Sequence, residues 1–119
     1  MPFKAILTEL VQSVPGASGA ILADWEGEAV AQYSLFDDFE LKIIGAHKVI
    51  ILNQLQTLQK RFAGDAVRDV VITTDGQHAI VGPVGKDYSL VMTLARDAIP
   101  GRALVRFRQT IDRLAKEIY

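Results

Sequence analysis

The chain has 119 residues, half of them apolar, with 13 basic and 14 acidic side chains and a net charge of −1; a chain of this length buries roughly two-thirds of its unfolded surface and fits one domain over 1–119. It has no cysteine, which excludes disulfides, thiolate catalysis and thiolate metal sites and favours a cytoplasmic location. The near-neutral charge lacks the positive field that draws proteins onto nucleic acid, and the longest aliphatic run, Val49-Ile50-Ile51-Leu52, falls far short of the about 20 residues that cross a bilayer. Neither a nucleic-acid partner nor membrane insertion is expected.

Phe3, Ile6, Leu7, Leu10, Val11 and Val14 recur at helical spacing, so residues 3–13 read as a short amphipathic helix that Pro15-Gly16 ends. Glu9 and Gln12 interrupt the apolar stretch that an export signal would need. Ala17 to Asp24 and Glu28 to Tyr33 then read as two strands joined through Trp25-Glu26-Gly27, where Gly27 suits the positive φ of a tight loop.

Asp37 to Phe62 forms the most informative segment, a long helix pattern that Asp37 or Asp38 can cap and Gly64 can close. Its apolar residues cover more of the circumference than one core can use. Ile44, Ile51, Leu52, Leu55, Leu58 and Phe62 form a broad stripe assigned to the core, while Phe39, Ile43, Ala46 and Ile50 form a second stripe that needs a partner. Lys48 projects into the broad stripe, which requires either that it snorkels or that the stripe is misplaced by a turn.

Val70 to Thr74 and Gln77 to Val81 flank Asp75-Gly76, a strong hairpin signal, and Tyr88 to Leu94 alternates as a third strand of the same meander. Beyond Pro100, the residues Ala103, Leu104, Phe107, Ile111, Leu114, Ala115 and Ile118 mark a closing helix. The order α-β-β-α-β-β-β-α predicts an α+β fold: a five-stranded antiparallel sheet with a helix-covered face.

Chemical sites are scarce. Gly82-Pro83-Val84-Gly85-Lys86-Asp87 lacks the Ser or Thr of a phosphate loop and puts Asp87 where phosphate would sit. His47 and His78 have no second ligand at metal spacing, Asp37-Asp38 diverge on a helix rather than converge, and no nucleophile elbow occurs. No catalytic residue, cofactor or metal is therefore expected. Charge is segregated, with Asp24, Glu26, Glu28, Asp37, Asp38 and Glu40 free of intervening bases and Arg96, Arg102, Arg106, Arg108, Arg113 and Lys116 gathered near the end. Trp25 at the hairpin tip and Arg102, Arg106 and Arg113 near one face of the last helix are candidates for docking a partner.

The segment Val14-Pro15-Gly16-Ala17, continuing through Gly19-Ala20-Ile21-Leu22-Ala23-Asp24 to Gly27 and Ala29-Val30-Ala31, resembles the opening of roadblock/LC7 domains. Val70-Val71-Ile72-Thr73-Thr74-Asp75-Gly76, Ser89-Leu90-Val91-Met92-Thr93-Leu94 and Gly101 are similar to that family's later blocks. The resemblance implies a profilin-like architecture and a small dimeric module without enzymatic activity. Members serve as dynein light chains, as scaffold subunits, and in prokaryotes as partners of small Ras-like GTPases, a class that includes the MglB-like proteins.

The resemblance also implies a homodimer in which central helices pack together and a sheet edge joins its counterpart. Carried onto this sequence, that interface comprises Phe39, Ile43, Ala46, Ile50 and Asn53 of the long helix with Val70 and Ile72 of the third strand. The expected function is a non-enzymatic adaptor that binds and regulates a small Ras-like GTPase. The alternatives are a scaffold subunit of a motor or signalling assembly, or a profilin- or PAS-like small-ligand sensor, which would require a cavity.

Overall fold

A computed structural model describes residues 2–62 and 64–119. Its elements run α1 (Phe3–Ser13), β1 (Ala17–Asp24), β2 (Ala29–Ser34), α2 (Asp38–Gln59), β3 (Val70–Thr73), β4 (Gln77–Val84), β5 (Tyr88–Ala95) and α3 (Pro100–Ile118). This is the order expected from the sequence. All strand pairs are antiparallel, in the spatial order β2-β1-β5-β4-β3.

The central strands β1 and β5 are buried on both faces, so they read as nearly continuous apolar runs. Alternation along them divides the interior into two clusters. Ala20, Leu22, Leu90, Met92 and Leu94 face α1 and α3, whose Leu7, Leu10, Phe107 and Leu114 complete one core. Ile21, Ala23, Val81 and Val91 face α2, which adds Leu41, Val49 and Leu52. Helices thus cover both faces of the sheet, where the sequence had indicated one.

Two boundaries moved by three residues, and the others agree to within one. β4 continues through Pro83 to Val84, three residues beyond the end at Val81 read from the sequence. Pro83 is tolerated because β3 pairs with β4 only from Val81 onward, so no ladder partner there needs its missing N–H. Helix α2 is capped as expected by Asp37, whose side chain accepts the Glu40 N–H at 3.0 Å, but it closes at Lys60, and Gly64 takes its φ of 82° beyond the helix end.

Candidate interaction surface

The seating of α2 determines what it leaves exposed. At about 100° per residue, its buried residues Leu41, Gly45, Lys48, Val49 and Leu52 share one arc. That arc lies about 90° from the broad stripe assigned to the core. Only Leu52 of that stripe is fully buried; Ile44, Ile51 and Leu55 are half-buried, and Leu58 and Phe62 are 54% and 65% exposed. The reason is Gly45, which lets the helix backbone settle on Ile21: a β-carbon there would lie 2.9 Å from Ile21 Cγ2. Large side chains at Ile44 or Ile51 would hold the helix away. Lys48 accordingly snorkels from the border of the seated face, its Nζ lying 3.2 Å from His47 Nδ1.

The second stripe points outward. Phe39, Ile43, Ile50 and Asn53 are exposed, and Ala46 is half-buried because Gly27 of the first hairpin lies over it. With Ala46 turned toward the hairpin, the flank carrying Ile44, Ile51, Leu55 and Leu58 turns the other way, toward β3. Helix α2 makes its main contacts with β1, β2, β4 and β5, leaving β3 at the rim of its footprint. Val70 and Ile72 point inward and pack against the α2 core cluster, so β3 offers its backbone edge and the exposed Val71 rather than those side chains.

The other candidates are dispersed. Trp25 stands 65% exposed on a hairpin tip fixed by Asp24, whose Oδ1 accepts the N–H groups of Glu26 and Glu28 at 2.9 and 3.0 Å, with Gly27 at φ 89°. Arg102 and Arg106 are exposed on α3, on the opposite side of the sheet from α2. Arg113 instead contacts Glu9 of α1 at 2.7 Å and is engaged within the chain. Arg108, not singled out from the sequence, binds Asp69 with two hydrogen bonds, which raise its pKa above the ordinary arginine range. Nothing in local spacing marks a pair separated by 39 positions.

His78 serves packing, while His47 is exposed on α2. Thr73 and the Arg96 carbonyl lie 2.8 and 3.0 Å from the two ring nitrogens of buried His78. Since a carbonyl only accepts, the network assigns the proton to Nε2 and leaves Nδ1 to accept the Thr73 hydroxyl. Among the described residues, no group of three His, Asp or Glu side chains could hold a metal ion. A cleft of about 1520 Å³ opens between the end of α2, residues 64–69, the β4–β5 turn and α3, with Lys60, Phe62, Arg68, Asp69 and Asp112 on its walls. Its charges alternate and its polar groups do not converge. A shallower depression of about 520 Å³ lies on α2 between Ile50, Asn53, Gln54, Thr57 and Leu58.

The model of the Roadblock/LC7 domain matches residues 4–94. The chain belongs to the Roadblock/LC7 family. Known structures agree on the fold. A Roadblock/LC7 domain from Streptomyces avermitilis superposes with a TM-score of 0.86 at 20% identity, covering 97% of this chain and 96% of that one. Myxococcus xanthus MglB gives a TM-score of 0.86 at 14% identity over 99% and 95% of the two chains. Profilin IA from Acanthamoeba castellanii gives 0.68 at 13% identity over 98% and 99%, which makes the architecture profilin-like. No curated protein matches in sequence. Helix α3 lies outside the family match, yet the Streptomyces avermitilis domain and MglB align over nearly the whole chain.

Proposed function

We propose that this chain is a single Roadblock/LC7 domain over residues 1–119 acting as a non-enzymatic, cytoplasmic homodimeric adaptor that binds and regulates a small Ras-like GTPase. The observation that carries the reading is the unpartnered apolar flank of α2 beside the open edge of β3. Burying about 30–100 Å² from each of Ile44, Ile51, Leu55, Leu58 and Phe62 on each copy, at about 25 cal/mol per Å², supplies roughly 8–25 kcal/mol gross, against about 4–15 kcal/mol of lost rigid-body freedom plus side-chain ordering. That balance favours a dimer of moderate strength.

In this arrangement the flank and the β3 edge meet a second copy, in place of the stripe of Phe39, Ile43, Ala46, Ile50 and Asn53 that the sequence had assigned to the dimer, and the outward Ile43 and Ile50, with Phe39 at the stripe's end, are left for the second protein. Such a dimer acts by ordering the GTPase's switch segments through shape and charge, since hydrolysis depends on positioning and electrostatics that the GTPase largely supplies. Likeness in fold to MglB supports the partner class. A scaffold subunit would use the same surfaces without the nucleotide dependence.

Sedimentation equilibrium on the wild type, on Leu58→Asp with Phe62→Asp, and on Ile43→Asp with Ile50→Asp tests the division of surfaces. The first double variant becomes a folded monomer; the second remains dimeric and loses binding to a Ras-like GTPase from the same source, loaded with GDP or a GTP analogue. A monomeric wild type defeats the homodimer, and equal failure of both nucleotide forms to bind defeats the regulatory role.

A further inference from the structure

Charge segregation in the sequence becomes spatial segregation in the fold. At the tip of the β1–β2 hairpin Trp25 is exposed, as is Val30 at the start of β2, and the carboxylates of Glu26 and Glu28 have no hydrogen-bond or ion-pair partner among the described residues. Asp24 at the same tip is occupied with the hairpin backbone, and Asp37 and Asp38, at the other end of β2, with the helix cap and Ser34. The tip thus sets an exposed tryptophan beside two unpaired carboxylates, the composition of a docking point rather than of plain solvated surface.

Helix α3 carries the inverse. Its outer side presents Val105, with Ile99 just before its first turn, both more than half exposed, beside Arg102, Arg106 and Lys116. Arg108 and Arg113 are held by Asp69 and Glu9, but these three cations have no carboxylate partner among the described residues. Projection at about 100° per residue places Ile99, Arg102, Val105, Arg106 and Lys116 within one third of the helix circumference. The acidic patch and the basic stripe cannot meet inside one chain, because α3 lies over β4 and β5 and β2 forms the far border of the sheet.

We propose that the tryptophan-tipped hairpin of one copy docks on the outer stripe of α3 of a second copy, giving a salt-sensitive self-association distinct from any pairing through α2. The two patches differ, so a single contact leaves each copy one patch to offer; two copies that exchange both contacts close as a two-fold pair, and otherwise assembly proceeds beyond a pair or closes into a larger ring. Opposed charge steers the encounter and sets the register, while Trp25 supplies the buried anchor. Apolar centres of this size with exposed charges give weak association, tuned by ionic strength.

Trp25 is the sole tryptophan, so its fluorescence reports on this contact directly. In about 50 mM salt the emission shifts to the blue with rising protein concentration and sedimentation velocity shows growing species; about 500 mM salt reverses both. Glu26→Arg with Glu28→Arg, and Arg102→Glu with Arg106→Glu, each abolish the growth, weakening association at least tenfold while leaving thermal melting unchanged. An equimolar mixture of the two double variants restores it, because each swapped patch then faces an oppositely charged one. Assembly that survives either double variant, a mixture that fails to assemble, or a wild type whose Trp25 emission ignores concentration and salt overturns the proposal. Loss of α2 pairing is read separately, since Leu58→Asp with Phe62→Asp leaves both of these patches intact.

Discussion

Gly45 of α2 and Ile21 of β1 are pressed together so closely that the glycine leaves no room for a β-carbon, which would fall 2.9 Å from Ile21 Cγ2. Ile21 is fully buried and cannot retreat. Gly45→Val is expected to cost about 2 kcal/mol through overpacking, lowering Tm by roughly 6–12 °C. Gly101→Ala is the contrast: nothing lies within 4 Å of its added methyl, and stability rises by about 0.5 kcal/mol through helix propensity. Calorimetry on both variants decides the matter, and equal effects would remove Gly45 as the seat of α2.

That contact also explains what the sequence conveyed and what it concealed. Strand and helix order was legible because the helices repeat at 3.6 residues and turn signals such as Gly27 and Asp75-Gly76 bound the strands, even where β1 and β5 run nearly continuously apolar. The rotation of α2 was not, because apolar residues occupy most of its circumference and the wheel favours the largest of them. The informative residue was the smallest: Gly45, with Leu41, Val49 and Leu52 at helical spacing, marks the face that touches the sheet. Long-range pairs such as Arg113 with Glu9 leave no local signature, so one candidate docking arginine proved to be engaged within its own chain.

Lys48 contributes its methylene stem to the buried face of α2, at 8% exposure, and among the described residues its ammonium has His47 as its one hydrogen-bond partner. Lys48→Met keeps the stem and removes the charge, and is expected to leave stability unchanged or raise it by up to about 1 kcal/mol. Lys48→Ala forfeits the packing and costs about 1–2 kcal/mol. Urea unfolding of the two variants separates stem from charge; equal losses would mean the ammonium matters.

His78 joins the end of β3 to the segment after β5 through Thr73 and the Arg96 carbonyl. His78→Ala leaves that carbonyl without its donor and is expected to cost about 1–3 kcal/mol. Nitrogen-15 NMR of the imidazole should show the Nε2–H tautomer; the other tautomer would mean that the ring does not donate to Arg96.

Arg108 anchors the approach to β3 by gripping Asp69 from α3, and the pairing raises the arginine's pKa. A cation whose folded pKa is raised adds stability that is complete below its unfolded pKa and is lost only as pH rises through the folded value. That window lies above the ordinary arginine range. The arginine's contribution is therefore expected to stay constant between about pH 6 and 9 and to shrink in about 0.5 M salt. Denaturant melts of Arg108→Leu against wild type should show a small, pH-independent deficit across that range; a deficit that grows toward alkaline pH would contradict the assignment.

The shortness of β3 has its own meaning. Its four residues end the ladder at Val70 opposite Val81, and continuation of that register would bring residue 68 opposite Pro83, which has no N–H to give. Proline chemistry in the neighbouring strand thus limits how far this border can be extended. A border of that length supports a few backbone bonds and no more, too few to template runaway stacking of strands. Discrimination among partners is left to side chains on the adjacent helix, so substitutions on α2 can alter whom the domain binds without turning an exposed strand into a seed for aggregation.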